Sequence, residues 1–315
     1  MTDSVFIALS TFAEHDREPL RLLEESGLPF SVHRTGKRIT TPELLEHGRT
    51  AAAIVAGIEP YDADTLGRLP GLRCISRVGI GVDSIDLEAA RARGIAVLNT
   101  PEQPAAAVAE LGVAMILALC RNLPRQIAHA RRQEWQRLEA HLLASRRVGL
   151  IGFGRIGRRI AELLQPFGCE IWVTDPAALV DAAQHVTFVP LEHLLRECDI
   201  VSIHAARSPQ RPLLIGPAEI ALMKPGAVLI NLARGGMVDE RALHDALVSG
   251  RLAGAGLDVY VDEPYKGPLC ALENVVLTPH SATLTVETRS AMERESVHNV
   301  LRFFRGDLKA HERVV

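Results

Sequence analysis

Three polar residues stand just past short apolar runs: Arg234 in Asn231-Leu232-Ala233-Arg234-Gly235-Gly236, Glu263 before Pro264, and His280 in Thr278-Pro279-His280. The runs read as strands, and in an open α/β sheet ligands sit outside the strand ends. An arginine there offers a fixed fork of donors that can hold a carboxylate and polarise the neighbouring carbonyl. A histidine can supply the proton that an alkoxide needs when hydride arrives at a ketone. A glutamate beside it would fix one tautomer and favour the charged imidazole near neutral pH. Taken singly, each has a plainer reading: a loop histidine, a surface ion pair, a solvated turn residue. Together they describe a site for reducing an α-keto acid.

Gly152-Phe153-Gly154-Arg155-Ile156-Gly157 follows the strand-like run 148–151 and opens a helix-forming stretch, 158–167. In such a loop the first glycine makes the turn and the second admits a pyrophosphate to the backbone. The third lets the helix pack on the strand, and the amides at the helix start bind phosphate charge. Asp175 ends the run 170–174, eighteen residues past Gly157. A carboxylate there accepts from a ribose 2′-hydroxyl and repels a 2′-phosphate, which predicts NAD rather than NADP. The plainer alternative is a turn residue before Pro176.

The elements that must position these residues alternate between β-branched runs and amphipathic stretches. Strands are predicted at 5–9, 52–56, 72–76 and 95–98, and again at 148–151, 170–174, 185–189, 199–203, 227–232, 254–258 and 275–278. Most are apolar throughout, as in parallel strands covered on both faces. Helices are predicted at 18–26, 105–121, 126–135 and 285–306. Strand and helix alternation at this spacing points to βαβ units. It predicts a doubly wound domain in the middle of the chain, flanked by a smaller α/β domain.

Composition limits the alternatives. The 315 residues suit two domains. Thirty-five Lys and Arg against 38 Asp and Glu give a charge of −3, so nothing steers the chain to nucleic acid. The pairs Arg131-Arg132 and Arg146-Arg147 read as solvated helix faces. Five scattered cysteines, none in CxxC spacing, argue against structural zinc or a disulfide framework, so no metal is expected and the cytoplasm is the natural compartment. The run 105–120 is shorter than the roughly 20 apolar residues of a membrane span and contains Glu110, so it reads as a buried helix and no membrane is implied.

The ordered motifs resemble the D-isomer-specific 2-hydroxyacid dehydrogenases, in the branch that contains D-3-phosphoglycerate dehydrogenase. The resemblance covers nearly the whole chain. It runs through Arg77-Val78-Gly79-Ile80-Gly81-Val82-Asp83-Ser84-Ile85-Asp86, Asn99-Thr100-Pro101, Val108-Ala109-Glu110-Leu111 and the glycine loop. It continues in Met223-Lys224-Pro225-Gly226, Ala233-Arg234-Gly235-Gly236, Val238-Asp239-Glu240, Leu257-Asp258-Val259, Glu263-Pro264 and Thr278-Pro279-His280. The resemblance implies two Rossmann-like domains with parallel sheets. The NAD-binding domain, 100–283, would be inserted in a flavodoxin-like substrate domain, 1–99 plus 284–315. It implies His280 as acid/base, Glu263 as its partner and Arg234 as the substrate arginine. Asp258 would bind the nicotinamide carboxamide, Arg155 and Ile156 would face the pyrophosphate, and the Val78 and Gly79 amides would hold the substrate carboxylate. The partner would be a small 2-hydroxy or 2-keto acid, and the assembly a homodimer whose interface uses the helix at 105–121. Trp135 either packs against or reaches into the partner subunit's pocket, or anchors the helix end to the dimer core.

The chain departs from the family pattern at Ala206, where a proline is usual, and at Ala105-Ala106-Ala107, where many members have a polar residue. It departs also at Thr283, and at Ala144-Ser145-Arg146-Arg147 in place of Leu-x-Gly-Lys. None of these removes Arg234, Glu263 or His280. Glu59, after the run 52–56, is expected to repel a substrate phosphate, with Arg77 the nearest counter-charge by sequence. D-3-phosphoglycerate as substrate therefore competes with glyoxylate or hydroxypyruvate. A non-catalytic NAD-sensing scaffold like the C-terminal binding proteins is a third reading. Formate dehydrogenases differ by a glutamine in place of Glu263.

Overall fold

In this computed structural model, residues 3–176, 185–207, 212–308 and 313–315 are described. The chain divides into two units, residues 1–104 with 284–315 (unit 1) and residues 105–283 (unit 2).

Unit 1 is built on five parallel strands, β1 (Val5–Ile7), β2 (Phe30–Val32), β3 (Ala53–Ala56), β4 (Cys74–Arg77) and β5 (Ala96–Leu98), in the order β2-β1-β3-β4-β5. Successive side chains alternate between faces, yet both faces are apolar because helices cover both. Phe6, Ile54, Ile75 and Val97 join one cluster with Leu44 of α2 (Thr41–His47) and Leu66 of α3 (Ala63–Gly67). Val5, Ile7, Val55 and Leu98 join the other, with Leu20 of α1 (Glu18–Ser26) and Val297 and Val300 of the last helix, Val286–Arg305. Val314 and Val315 exchange backbone hydrogen bonds with Val97 and so cover the β5 edge. Neither β2 nor α2 is among the sequence predictions. The capping box Thr40-x-x-Glu43 that starts α2 was there to be read, with Thr40 N donating to Glu43 Oε2 at 2.8 Å.

Unit 2 carries seven parallel strands: β6 (Arg147–Ile151), β7 (Glu170–Thr174), β8 (Thr187–Phe188), β9 (Ile200–Ile203), β10 (Ala227–Asn231), β11 (Leu252–Leu257) and β12 (Val275–Leu277). Their order, β12-β11-β10-β9-β6-β7-β8, reverses between β6 and β9. Val148, Leu150, Ile171 and Ile230 pack with Met115 and Ile116 of α5 (Pro104–Cys120) and Ile160 of α7 (Arg155–Leu164). Val201, Leu229 and Leu257 pack on the opposite face with Leu243 and Leu247 of α10 (Glu240–Val248). No single described helix is long and apolar enough to cross a membrane.

Two readings need correction. Arg147 lies on β6, not on a helix; it pairs with Glu170 at 2.7 Å and Glu197 at 3.1 Å, and its guanidinium lies 4.2 Å from the Trp172 ring. Arg146 pairs with Asp199 at 3.3 Å. The second helix of the middle segment is α6 (Leu123–Arg131), which ends before Trp135. Trp135 is 91% exposed in the single chain.

Candidate active site

The glycine loop sits where unit 2's strand order reverses. Gly152 has φ +98°, and a Cβ on it would lie 2.6 Å from Ala205 N and 2.7 Å from His204 C, beyond the end of β9. Only glycine permits that approach. A Cβ on Gly157 would lie 2.2 Å from Gly152 O, which is how α7 packs against its own turn. At Gly154 a Cβ would meet nothing within 4 Å: the space before the helix start is open, and a side chain would fill it. Gly154 caps α7 without any side-chain hydrogen bond, so Arg155 and Ile156 begin a helix whose N-terminus is suited to a phosphate. Asp175 follows β7, and its Oδ2 accepts from Phe153 N at 2.6 Å, holding the carboxylate beside the loop. These residues fit a dinucleotide pyrophosphate and ribose.

His204 is a residue the sequence reading passed over, although it stands immediately after β9 at the same reversal. Its Nε2 lies 2.7 Å from Ser202 Oγ, while its buried Nδ1 has no hydrogen-bond partner among the described residues. Burial pushes its pKa down to about 3, so the imidazole is neutral at ordinary pH. Ser208 and Pro209, at the end of the segment that departs at Ala206, lie outside the described residues.

Arg234 is set by a brace on Asn231, the buried last residue of β10. Asn231 Oδ1 accepts from Ala233 N at 3.0 Å and its Nδ2 donates to Arg234 O at 2.9 Å. The arginine's Nη1 donates to Ala233 O at 2.8 Å. A Cβ on Gly235 would lie 1.7 Å from Tyr260 O, so this loop is packed directly against the segment leading to Glu263.

His280 and Glu263 meet: Nδ1 lies 2.8 Å from Oε2 and 3.1 Å from Oε1. Tyr260 N donates to Glu263 Oε1 at 3.2 Å and steadies the carboxylate. The contact engages one ring nitrogen and leaves Nε2 on the far side of a histidine that is 47% exposed in its side chain. His280 has φ +51°, the left-handed region that costs a non-glycine residue energy unless the surroundings hold it. Asp258 holds it. This carboxylate is 1% exposed; Oδ1 accepts from Thr278 Oγ1 at 2.6 Å and Ser281 N at 2.8 Å, and Oδ2 from Ala282 N at 3.0 Å. Its bonds flank His280 on both sides, a structural task beyond the carboxamide contact that the resemblance implies. Tyr260 OH adds bonds to Leu257 O and Thr278 O, each 3.0 Å.

The expected substrate residues of unit 1 are differently employed. Val78 N donates to Ala56 O at 2.9 Å and Gly79 N to Thr100 Oγ1 at 2.8 Å, so both amides are engaged within the fold rather than left for a carboxylate. The Arg77 guanidinium folds over Gly79 and Nη1 bonds Val78 O. Glu59 does not project as a phosphate-repelling charge: it is 2% exposed, accepting from Gly57 N at 2.9 Å and Tyr61 OH at 2.7 Å.

A doubly wound sheet with a glycine loop at its reversal, and a histidine–carboxylate pair on the same unit, defines a nucleotide-dependent oxidoreductase of the Rossmann class. The family model "D-isomer specific 2-hydroxyacid dehydrogenase, NAD binding domain" matches residues 113–282. The chain is 35% identical over 298 residues to a D-3-phosphoglycerate dehydrogenase of Methanocaldococcus jannaschii, covering 92% of this chain and 56% of that one. It is 37% identical over 278 residues to a glyoxylate reductase of Thermococcus litoralis, covering 84% of each. Among solved structures, the TT0316 protein of Thermus thermophilus superposes with TM-score 0.90 at 35% identity over 99% of this chain and 100% of that one. A glyoxylate reductase from Paecilomyes thermophila gives 0.88 at 29% identity, covering 99% and 98%. The chain belongs to the D-isomer specific 2-hydroxyacid dehydrogenase family, has two Rossmann-like domains, and takes NAD as its cofactor.

Proposed function

We propose that the chain interconverts a 2-keto acid and its D-2-hydroxy acid, with unit 2 binding NAD and supplying Arg234 and His280 to the substrate. The contact between His280 Nδ1 and Glu263, on the unit that carries the glycine loop, is the observation that supports this most. The bound nicotinamide supplies or takes the hydride. Glu263 accepts from Nδ1, which leaves Nε2 to give a proton to the keto oxygen and to recover it in the reverse direction. Arg234, fixed through Asn231, pairs with the substrate carboxylate and polarises the carbonyl. Asp175 accepts from the adenosine ribose and disfavours a 2′-phosphate. Arg155 and Ile156 begin the helix that receives the pyrophosphate, and Asp258 keeps the His280 turn in place.

The working form is a homodimer. Apart from exposed Glu110, helix α5 is apolar, yet Ala106 and Ala114 are exposed and Leu111, Val113 and Leu117 only partly covered. Ile127, Trp135 and Leu142 nearby are 48%, 91% and 73% exposed. Apolar surface of this kind suits a second copy. Five free cysteines suit the cytoplasm. NADH oxidation followed at 340 nm with a panel of 2-keto acids tests the activity. Tight NADH binding without turnover of any of them would favour the sensing scaffold instead.

A further inference from the structure

Strand β11 ends at Leu257 and leads to Glu263; its neighbour β12 ends at Leu277 and leads to His280, and the register pairs Leu257 with Leu277. Tyr260 joins the two paths. Its hydroxyl lies 3.0 Å from Leu257 O and 3.0 Å from Thr278 O. Thr278 O is also the acceptor of the His280 backbone N–H, at 3.0 Å. At its other end, Tyr260 N donates to Glu263 Oε1 at 3.2 Å. A Cβ on Gly235, beside Arg234, would lie 1.7 Å from Tyr260 O, so the same residue also abuts the arginine loop. Tyr260 therefore touches the segments that carry Arg234, Glu263 and His280.

The hydroxyl has one proton and shares it between two carbonyls. Tyr260 is buried, and burial together with nearby Asp258 pushes its pKa up, so the phenol stays protonated and a donor. The bonds of Asp258 run to Thr278, Ser281 and Ala282 and hold the His280 turn; those of Tyr260 tie that turn to Glu263. The ring is fixed separately. It stacks on Tyr265 with centroids 4.6 Å apart and planes at 19°, and the next residue, Val261, donates its N–H to Glu240 Oε1 at 2.8 Å. Phenylalanine would keep the stack and the backbone bonds and lose only the hydroxyl.

We propose that Tyr260 is a positioning residue: its hydroxyl keeps the imidazole of His280 seated on Glu263 through Nδ1, which leaves Nε2 in place for the substrate. Its effect on rate rests on the dehydrogenase reading; its effect on the histidine–glutamate pair does not.

Tyr260→Phe tests it. Two-dimensional ¹H–¹⁵N spectra of the histidine rings, with His280 assigned by its absence from His280→Ala, report the tautomer at a pH above the ordinary titration range of imidazole. Wild type should hold the Nδ1–H tautomer at His280, and Tyr260→Phe should move toward a mixture of the two. Equal tautomer populations in both proteins overturn the proposal. With the keto acid that turns over fastest, kcat should fall at least about fivefold while KM and NADH affinity stay within about twofold, because a misplaced acid slows the chemical step without weakening binding. A smaller fall in kcat overturns it too. Tyr265→Phe is the control: its hydroxyl accepts from Leu269 N at 3.4 Å, away from the pair, so its loss should alter neither tautomer nor kcat. Equal effects in the two variants would show a general loosening of the loop and refute a specific role for Tyr260. If no keto acid is reduced, the dehydrogenase reading fails separately, and the tautomer comparison still decides what Tyr260 does.

Discussion

Replacing Asp258 by asparagine tests whether the turn that carries His280 is held from beneath. The carboxylate is 1% exposed and receives three hydrogen bonds, from Thr278, Ser281 and Ala282. Asparagine keeps one acceptor oxygen, so if that oxygen serves Thr278 and Ser281, its NH2 faces Ala282 N, donor against donor. One charge-assisted bond is lost, about 1.5–3 kcal/mol, and the unpaired buried donor costs ~1–3 kcal/mol more. The amide is cheaper to bury than the carboxylate, which offsets part of this, leaving roughly 3 kcal/mol. For a unit of this size each kcal/mol lowers the midpoint by roughly 2–4 °C, so Tm should fall by about 6–12 °C. His280, at φ +51°, then loses the support of its left-handed backbone. A displacement of about 1 Å at the acid costs on the order of 10²-fold in kcat. Thermal unfolding followed by circular dichroism and NADH oxidation read the two effects together. A midpoint within about 2 °C of wild type with unchanged kcat would refute the bracket.

Three other variants follow from the same geometry. His280→Ala should lower kcat by roughly 10²–10⁴-fold, the range for a general acid, while NADH affinity measured by fluorescence titration stays near wild type; an unchanged kcat would remove His280 from the chemistry. Asp175→Ala should weaken NAD binding and relax the preference against NADP, and a wild type that already favours NADPH would contradict that role for the carboxylate. His204, with its pKa pushed down to about 3, is neutral when folded but charges near pH 6.5 when unfolded. Its contribution is complete above pH 6.5 and declines as pH falls toward 3, by about 1.4 kcal/mol per unit. Denaturant unfolding at pH 7.5 and 5.0 should show wild type losing about 2 kcal/mol more than His204→Asn; equal losses would contradict the buried neutral imidazole.

The glycine loop was legible because each glycine answers a local demand. Gly152 needs positive φ and Gly157 a close backbone approach, and both leave a mark in six consecutive residues. Helix α7 nonetheless begins at Arg155, earlier than the predicted 158, because the loop's last residues already form its first turn. Arg234, Glu263 and His280 were legible as polar residues past strand ends, but what fixes them was not. Asp258 reaches residues more than twenty positions away, and the Gly235 contact with Tyr260 depends on two loops meeting. Glu59 misled for the same reason: a charged residue in a short loop reads as exposed until Tyr61 and Gly57 N are seen to hold it. The engaged amides of Val78 and Gly79 are likewise tertiary facts, since Ala56 and Thr100 lie on neighbouring strands' ends. Strand β2 is three residues of mixed exposure, too short for a period to show.

The most direct test of the central claim is the rate of NADH oxidation at 340 nm by wild type and His280→Ala across glyoxylate, hydroxypyruvate, pyruvate, oxaloacetate and 3-phosphohydroxypyruvate. Steady turnover of at least one acid by wild type, collapsing in the variant while NADH still binds, is the expected result. Tight NADH binding with no turnover of any acid, or turnover that survives the loss of His280, would contradict it.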